Sequence, residues 1–166
     1  MPLNLLTNPS FETGPVGSPP PGWSVVGTLG GSATSQADSS AFDGFNDAVL
    51  SVATDTDFVR LFQKVAIPLG TTNFTVAYAV RAVEPLLNGR ARARILYFDA
   101  LDTQIGFEIV QTVAAAHLTD PAWETHVGVS GAVPLLAASA QLELTLGGEV
   151  DGLGDVVVDA VVFIAT

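Results

Sequence analysis

The chain has 166 residues, enough for one domain that buries roughly 70 % of the surface its unfolded chain exposes, with no need of cross-links. It has no cysteine, which excludes a disulfide scaffold, thiolate metal sites and cysteine catalysis. With 17 acidic against 6 basic residues, a net −11, nucleic acid and anionic membrane surfaces are poor partners, whereas a divalent cation or a neutral glycan suits the balance.

Only 14 % of the residues are charged and the mean hydropathy is +0.44, apolar for a soluble monomer. No apolar run approaches the about 20 residues that span a bilayer, and the longest, Val156–Ala165, is broken by Asp159. The apolar excess belongs either at an oligomer or assembly interface or inside an Ala- and Val-rich sandwich. Met1-Pro2 leads straight into the first apolar run without a charged leader or cleavage site, so no secretory signal is expected.

Taken in order, Leu3, Leu5 and Leu6 are expected as a short first strand. Asn8-Pro9 turns the chain, since proline fixes φ and asparagine bonds its own backbone. Phe11 re-enters an apolar environment, with Glu12 and Gly14 behind it. Residues 13–22 form a Pro/Gly loop. Strands are expected at Trp23–Val26, Ser32–Ser35, Ala48–Ala53, Phe58–Ile67 and Asn73–Val83. Others are expected at Arg90–Asp99, Gln104–Thr112, Glu124–Val129, Ser139–Leu146 and Asp155–Ile164. A helical turn is allowed only at Ala114, Ala115 and Ala116. About ten strands with turns between them, and neither repeat nor linker, predict a single all-β sandwich over residues 1–166.

Asn4-Leu5-Leu6-Thr7-Asn8-Pro9-Ser10-Phe11-Glu12-Thr13-Gly14, followed by Gly22-Trp23, resembles the opening of the carbohydrate-binding modules of families four, nine, sixteen and twenty-two, within the galactose-binding-like β-sandwiches. Further similar pieces follow in the same order. They are Leu61–Val65 with its glutamine, the turn Pro68-Leu69-Gly70, the strand ending at Arg81, Trp123 with the turn Gly131–Pro134, and Val156–Phe163 around Asp159. The resemblance implies a jelly-roll of two antiparallel sheets. It also implies a structural Ca²⁺ held by Glu12 and Asp159 with backbone carbonyls, Asp43 being a third candidate ligand. A carboxylate inside the apolar strand around Asp159 is costly unless paired or metal-bound, and Ca²⁺ takes six to eight oxygens. The alternative is that Asp159 meets backbone amides or a basic side chain and Glu12 is exposed; Ala160 stands where the family has a second aspartate. Glu149, Asp151 and Asp155 form an acidic turn that reads as solvated, the alternative being a further cation site.

Such modules hold sugars against exposed aromatic rings. Phe74 and Tyr78 share an apolar face, and Phe11, Phe62, Phe98 and Phe163 are expected in the core. Trp23, Trp123, Tyr97 and Phe45 remain as candidate sugar platforms. Arg90, Arg92 and Arg94 recur at strand period and so form a stripe; with Arg81 on a neighbouring strand they could bind an acidic sugar or an acidic subunit, or pair with the protein's own carboxylates. Enzyme chemistry finds no support. His117 and His126 lack metal spacing, Gly128-Val129-Ser130-Gly131 is not a nucleophile elbow, and Asp55 and Asp57 lie in a turn.

The expected function is a non-catalytic structural or adhesion module on a virion surface, such as a phage decoration or tail protein, contacting other virion or surface subunits as a homo-oligomer and binding glycans as well. The alternative is a glycan-binding module of a secreted carbohydrate-active enzyme or cell-surface protein.

Overall fold

Ten strands stack as two five-stranded sheets. The computed structural model describes residues 3–54, 56–83, 90–114, 122–147 and 154–166. The strands are β1 (Ser24–Gly27), β2 (Gly31–Ala37), β3 (Asn46–Val52), β4 (Phe58–Ala66), β5 (Phe74–Ala82), β6 (Arg90–Phe98), β7 (Gln104–Ala114), β8 (Glu124–Val129), β9 (Ser139–Gly147) and β10 (Gly154–Ala165). One sheet runs β1-β4-β9-β6-β7 and the other β2-β3-β10-β5-β8, with every pairing antiparallel. This is the expected all-β sandwich, and no helix forms among the described residues. Ala114 lies in β7; the rest of the possible helical turn, Ala115 and Ala116, together with Asp55, His117, Glu149 and Asp151, lies outside the described residues.

Alternation explains the core. Leu61 of β4, Ile95 of β6 and Leu142, Leu144 and Leu146 of β9 are buried from one side. Leu50 of β3, Phe74, Val76 and Tyr78 of β5, and Val158 and Phe163 of β10 meet them from the other. Phe74 stacks on Phe163 with centroids 4.6 Å apart and tilts against Tyr97 at 6.4 Å.

The segment Leu3–Leu6 is not a strand. It makes one isolated bridge, Asn4 to Ile164, and Leu5 N–H donates to the Phe163 carbonyl at 2.9 Å. A full strand there is replaced by side-chain pinning. Asn4 Oδ1 accepts from Phe163 N at 3.0 Å while its Nδ2 donates to the Val161 carbonyl at 2.9 Å. Gln63, inward on β4, accepts from Thr7 N at 2.6 Å and donates to the carbonyls of Thr7 and Gly22 at 3.0 and 2.8 Å. One buried amide thus ties both sides of the Pro/Gly loop to the sheet and satisfies groups that would otherwise be stranded.

Candidate functional site

Two regions gather chemistry-bearing side chains on opposite outer faces. The first is the outer face of the β1-β4-β9-β6-β7 sheet. Because Leu61, Leu144 and Ala93 point inward, the alternate residues of β4, β9 and β6 point out. Register sets them in rows: Arg60–Thr145–Arg92, then Phe62–Glu143–Arg94, then Lys64–Gln141–Leu96. Ile109 and Phe107 of β7 extend the second and third rows and are 51 % and 63 % exposed. A cleft of about 130 Å³ opens there, lined by Phe58, Arg60, Arg92, Arg94, Ile109 and Thr145.

Glu143 is the carboxylate at the middle of this face and is almost fully buried. Arg94 Nε donates to its Oε2, and Gln141 Nε2 donates to its Oε1 at 2.7 Å. The buried charge is therefore paired on both oxygens. Two cations lie over rings: Arg60 over Phe58 at 4.7 Å and Lys64 over Phe98 at 3.5 Å. Lys64 also pairs with Asp102. Phe62 and Phe98, expected in the core, are instead half-exposed on this face. Their strands carry apolar residues on both faces, and Leu61 and Ile95 take the inner one.

The second region lies across the outer face of the β2-β3-β10-β5-β8 sheet. The connection from Asp38 to Phe45 folds back over it as a strap, closed at its base by Asp38 N–H donating to the Phe45 carbonyl at 2.9 Å. Asp38 accepts from Arg81 and from Ser40 N and Oγ, at 2.8 and 2.7 Å for the latter two. Trp123 Nε1 donates to the Ser40 carbonyl at 2.7 Å, and Phe42 meets the indole edge-on at 5.9 Å. Beneath the strap, Asp47 is completely buried and neither of its oxygens finds a hydrogen-bond partner. Burial pushes its carboxyl up to about 7; Gln36 across on β2 offsets part of that from beyond ordinary hydrogen-bond reach, and Asp38 adds to it.

At the near end of the strap, Asp159 is also fully buried. Its Oδ2 accepts from Asp43 N at 2.8 Å and its Oδ1 from Ala160 N at 2.6 Å. Burial raises its carboxyl to about 6, and the charges of Asp43 and Glu12 add to the rise. Glu12 Oε1 accepts from the amides of Phe45 and Asn46 at 2.9 and 2.8 Å, over Gly44 at φ 80°. A Cβ at Gly44 would stand 2.3 Å from that oxygen, so only glycine lets the strap close on the carboxylate. Backbone strain concentrates in the same place: Asn8, Phe11 and Ala160 have φ of 51°, 57° and 49°. The β10 register slips between Asp159 and Val162, with Val161 N–H donating to the Pro9 carbonyl. Left-handed non-glycine residues persist only where their surroundings hold them.

No protein-family model matches the sequence, and no curated protein matches it. Solved structures do match the fold. A CBM22-1 xylan-binding domain from Paenibacillus barcinonensis Xyn10C superposes at TM-score 0.69 and 16 % identity, over 99 % of this chain and 95 % of that one. The chain has the β-sandwich fold of carbohydrate-binding modules. The enzymatically active domain of tailspike protein 4 from bacteriophage CBA120 matches at TM-score 0.69 and 15 % identity, over 98 % of this chain, which spans 21 % of that one. A Stig cyclase from Fischerella sp. TAU matches at TM-score 0.69 and 16 % identity, over 100 % of this chain and 98 % of that one.

On this module-like sandwich the expected site residues separate. Trp23 is in the core, 5.4 Å from Phe11, its Nε1 donating to the Asn8 carbonyl at 3.0 Å. Tyr97 is likewise buried, its hydroxyl donating to Glu108 at 2.5 Å. Neither ring is open to a sugar. Trp123 sits under the strap with Arg81 over its ring at 5.0 Å. Arg81 does not extend the arginine stripe, because β5 and β6 belong to opposite sheets; it pairs with Asp38. Phe45 is exposed on the strap. Arg90, Arg92 and Arg94 do share one outward face, joined by Arg60 and Lys64. Glu12, Asp43 and Asp159 come together around the strap. As placed, Glu12 and Asp159 direct oxygens at amides, and no three acidic, histidine or cysteine side chains among the described residues converge on one metal position. Asp38, Asp47 and Glu143 were not among the expected site residues.

Proposed function

We propose that the chain is a non-catalytic glycan-binding module that lays a saccharide along the outer face of the β1-β4-β9-β6-β7 sheet. The observation that carries this reading is the cleft between Arg60, Arg92 and Ile109, with Phe58 and Thr145 in its lining and Phe62, Phe98 and Phe107 as further rings on the same face. Rings bind the apolar faces of sugars and fixed polar groups read hydroxyls. The named function of the xylan-binding domain of the same fold supports it. Binding to a panel of neutral and acidic polysaccharides in affinity gels tests it. Retention of the wild type, weakened at least tenfold by Phe107→Ala, is the expected result; a folded protein retarded by none of them would sink the reading and shift its role to assembly.

The adhesion module is assigned to a virion surface, as in a decoration or tail protein; the tailspike match supports this placement. The alternative setting is a module of a secreted carbohydrate-active enzyme or a cell-surface protein. An apolar end of the sandwich favours contact with a further subunit, in a homo-oligomer or a particle. Leu69, Leu135 and Leu136 are exposed there, and Pro68 and Pro134 flank a cavity of about 400 Å³.

The assignment includes a structural Ca²⁺ at Glu12 and Asp159, with Asp43 beside them. The donor set is all oxygen, as a hard cation requires. Both carboxylates keep lone pairs beyond those given to amides, and like charges crowd the buried Asp159. At free calcium about 100 times Kd, linkage adds about 2.7 kcal/mol, or about 5–10 °C in Tm for a chain of this size. Chelator should therefore lower the melt by that much and Asp159→Ala should abolish the difference. An unchanged wild-type melt in chelator would retire the site.

A further inference from the structure

Five of the chain's six basic residues project from the outer face of one sheet. Arg60 and Lys64 come from β4, and Arg90, Arg92 and Arg94 from β6. The sixth, Arg81, is on the other sheet, paired with Asp38. In a protein of net charge −11 this is a strong separation of charge. It is produced by register: β9 lies between β4 and β6, so the two basic stripes flank a strand that contributes Gln141, Glu143 and Thr145 to the same face. Arg94 is paired with Glu143 and Lys64 with Asp102, and the excess of basic over acidic side chains on the face biases the local field toward anions.

We infer that the saccharide this face takes is anionic, a polymer whose pyranose rings bear carboxylates or sulfates, and that Arg60 and Arg92 are the residues that select it. The inference rests on the glycan-binding reading above and names its substrate class. Arg60 and Arg92 stand in one row on either side of Thr145. Their strands are two spacings apart, about 9.6 Å, and both side chains line the same cleft. A guanidinium fork matches a carboxylate or sulfate in geometry as well as charge. The face already holds one carboxylate in this way, since Arg94 and Gln141 clasp Glu143. An acidic protein segment is the other polyanion to weigh. The rings interleaved with the cations favour sugar: Phe58 lies beneath Arg60, Phe98 beneath Lys64, and Phe107 is open.

The test compares polymers of matched backbone by titration calorimetry at about 50 and about 300 mM salt, where the screening length falls from beyond 10 Å to well below it. The probes are polygalacturonate, its fully methyl-esterified form, dextran sulfate with unmodified dextran, and polyglutamate. At low salt at least one charged polysaccharide is expected to bind tenfold or more tightly than its neutral counterpart. The polygalacturonate and dextran sulfate arms decide between carboxylate and sulfate. High salt should cost about tenfold, and Arg92→Gln and Arg60→Gln should each cost about as much without moving Tm. Equal or tighter binding of both neutral polymers would overturn the anionic inference and leave the glycan reading standing. Polyglutamate binding as tightly as the charged polysaccharides would also overturn it, since charge alone would then suffice. Failure of every polysaccharide to bind would overturn both.

Discussion

Phe163→Ala is expected to lower stability by about 3–5 kcal/mol, the range for removing a buried aromatic ring, and to lower Tm by roughly 6–20 °C for a chain of this length. The ring is fully buried and stacked on Phe74 at 4.6 Å. Its strand, β10, is the central one of its sheet, and at Phe163 it pairs with Val76 of β5 on one side and meets the N-terminal segment on the other. Phe163 also holds the N-terminal segment, its N–H donating to Asn4 Oδ1 and its carbonyl accepting from Leu5 N. The surface ring Phe107 is the contrast: 63 % exposed on edge strand β7, it should cost no more than about 0.5 kcal/mol when truncated. Urea melts of both variants check this. A loss below about 1 kcal/mol at Phe163, or equal losses at both sites, would contradict the packing described.

The sequence made the strands legible because alternation is a local property. Each of the ten appears within a few residues of its expected bounds, from Ser24–Gly27 to Gly154–Ala165. Which strands share a sheet is not local. Arg81 and Arg90 are near neighbours along the chain, yet β5 and β6 lie in opposite sheets, while Arg60 of distant β4 shares a row with Arg92, with only β9 between them. The inward course of Tyr97 was available from the sequence. If Arg90, Arg92 and Arg94 point out, Tyr97 at odd offset points in, as the burial of Ala91, Ala93 and Ile95 shows. Phe62 and Phe98 show the opposite difficulty, since a strand apolar on both faces does not say which face is the core. The burial of Asp159 could be read from the valines around it, but that of Asp47 could not. Asp47 takes an outward position in β3, and only the strap from Asp38 to Phe45, anchored on Arg81, Trp123 and Asp159, removes it from water.

That hidden carboxylate should give the protein an unusual pH dependence. In chelator, stability is expected to fall as pH rises from about 4.5 to 8. Asp47 is raised from 3.8 to about 7, chiefly by burial, and Asp159 to about 6 for the same reason. A group whose folded pKa lies above its unfolded value contributes fully below the unfolded pKa. That contribution is lost as pH climbs through the folded one. For Asp47 the span corresponds to on the order of 4 kcal/mol, at about 1.4 kcal/mol per pH unit. Asp38 works in the other direction. Burial would raise it, but Ser40 and Arg81 hold it below its ordinary value, so its contribution is lost only in stronger acid. The stability maximum should therefore lie near pH 4–5, below the usual range. Asp47→Asn keeps the shape and removes the charge. It should leave Tm nearly unchanged at pH 4.5, raise it at pH 8, and flatten most of the slope between. The remaining slope belongs to Asp159, and calcium at pH 8 should remove that part alone if the ion binds there. Melting curves for the wild type and Asp47→Asn that stay parallel from pH 4.5 to 8 would show that Asp47 titrates as an ordinary surface carboxylate and that the strap does not seal it.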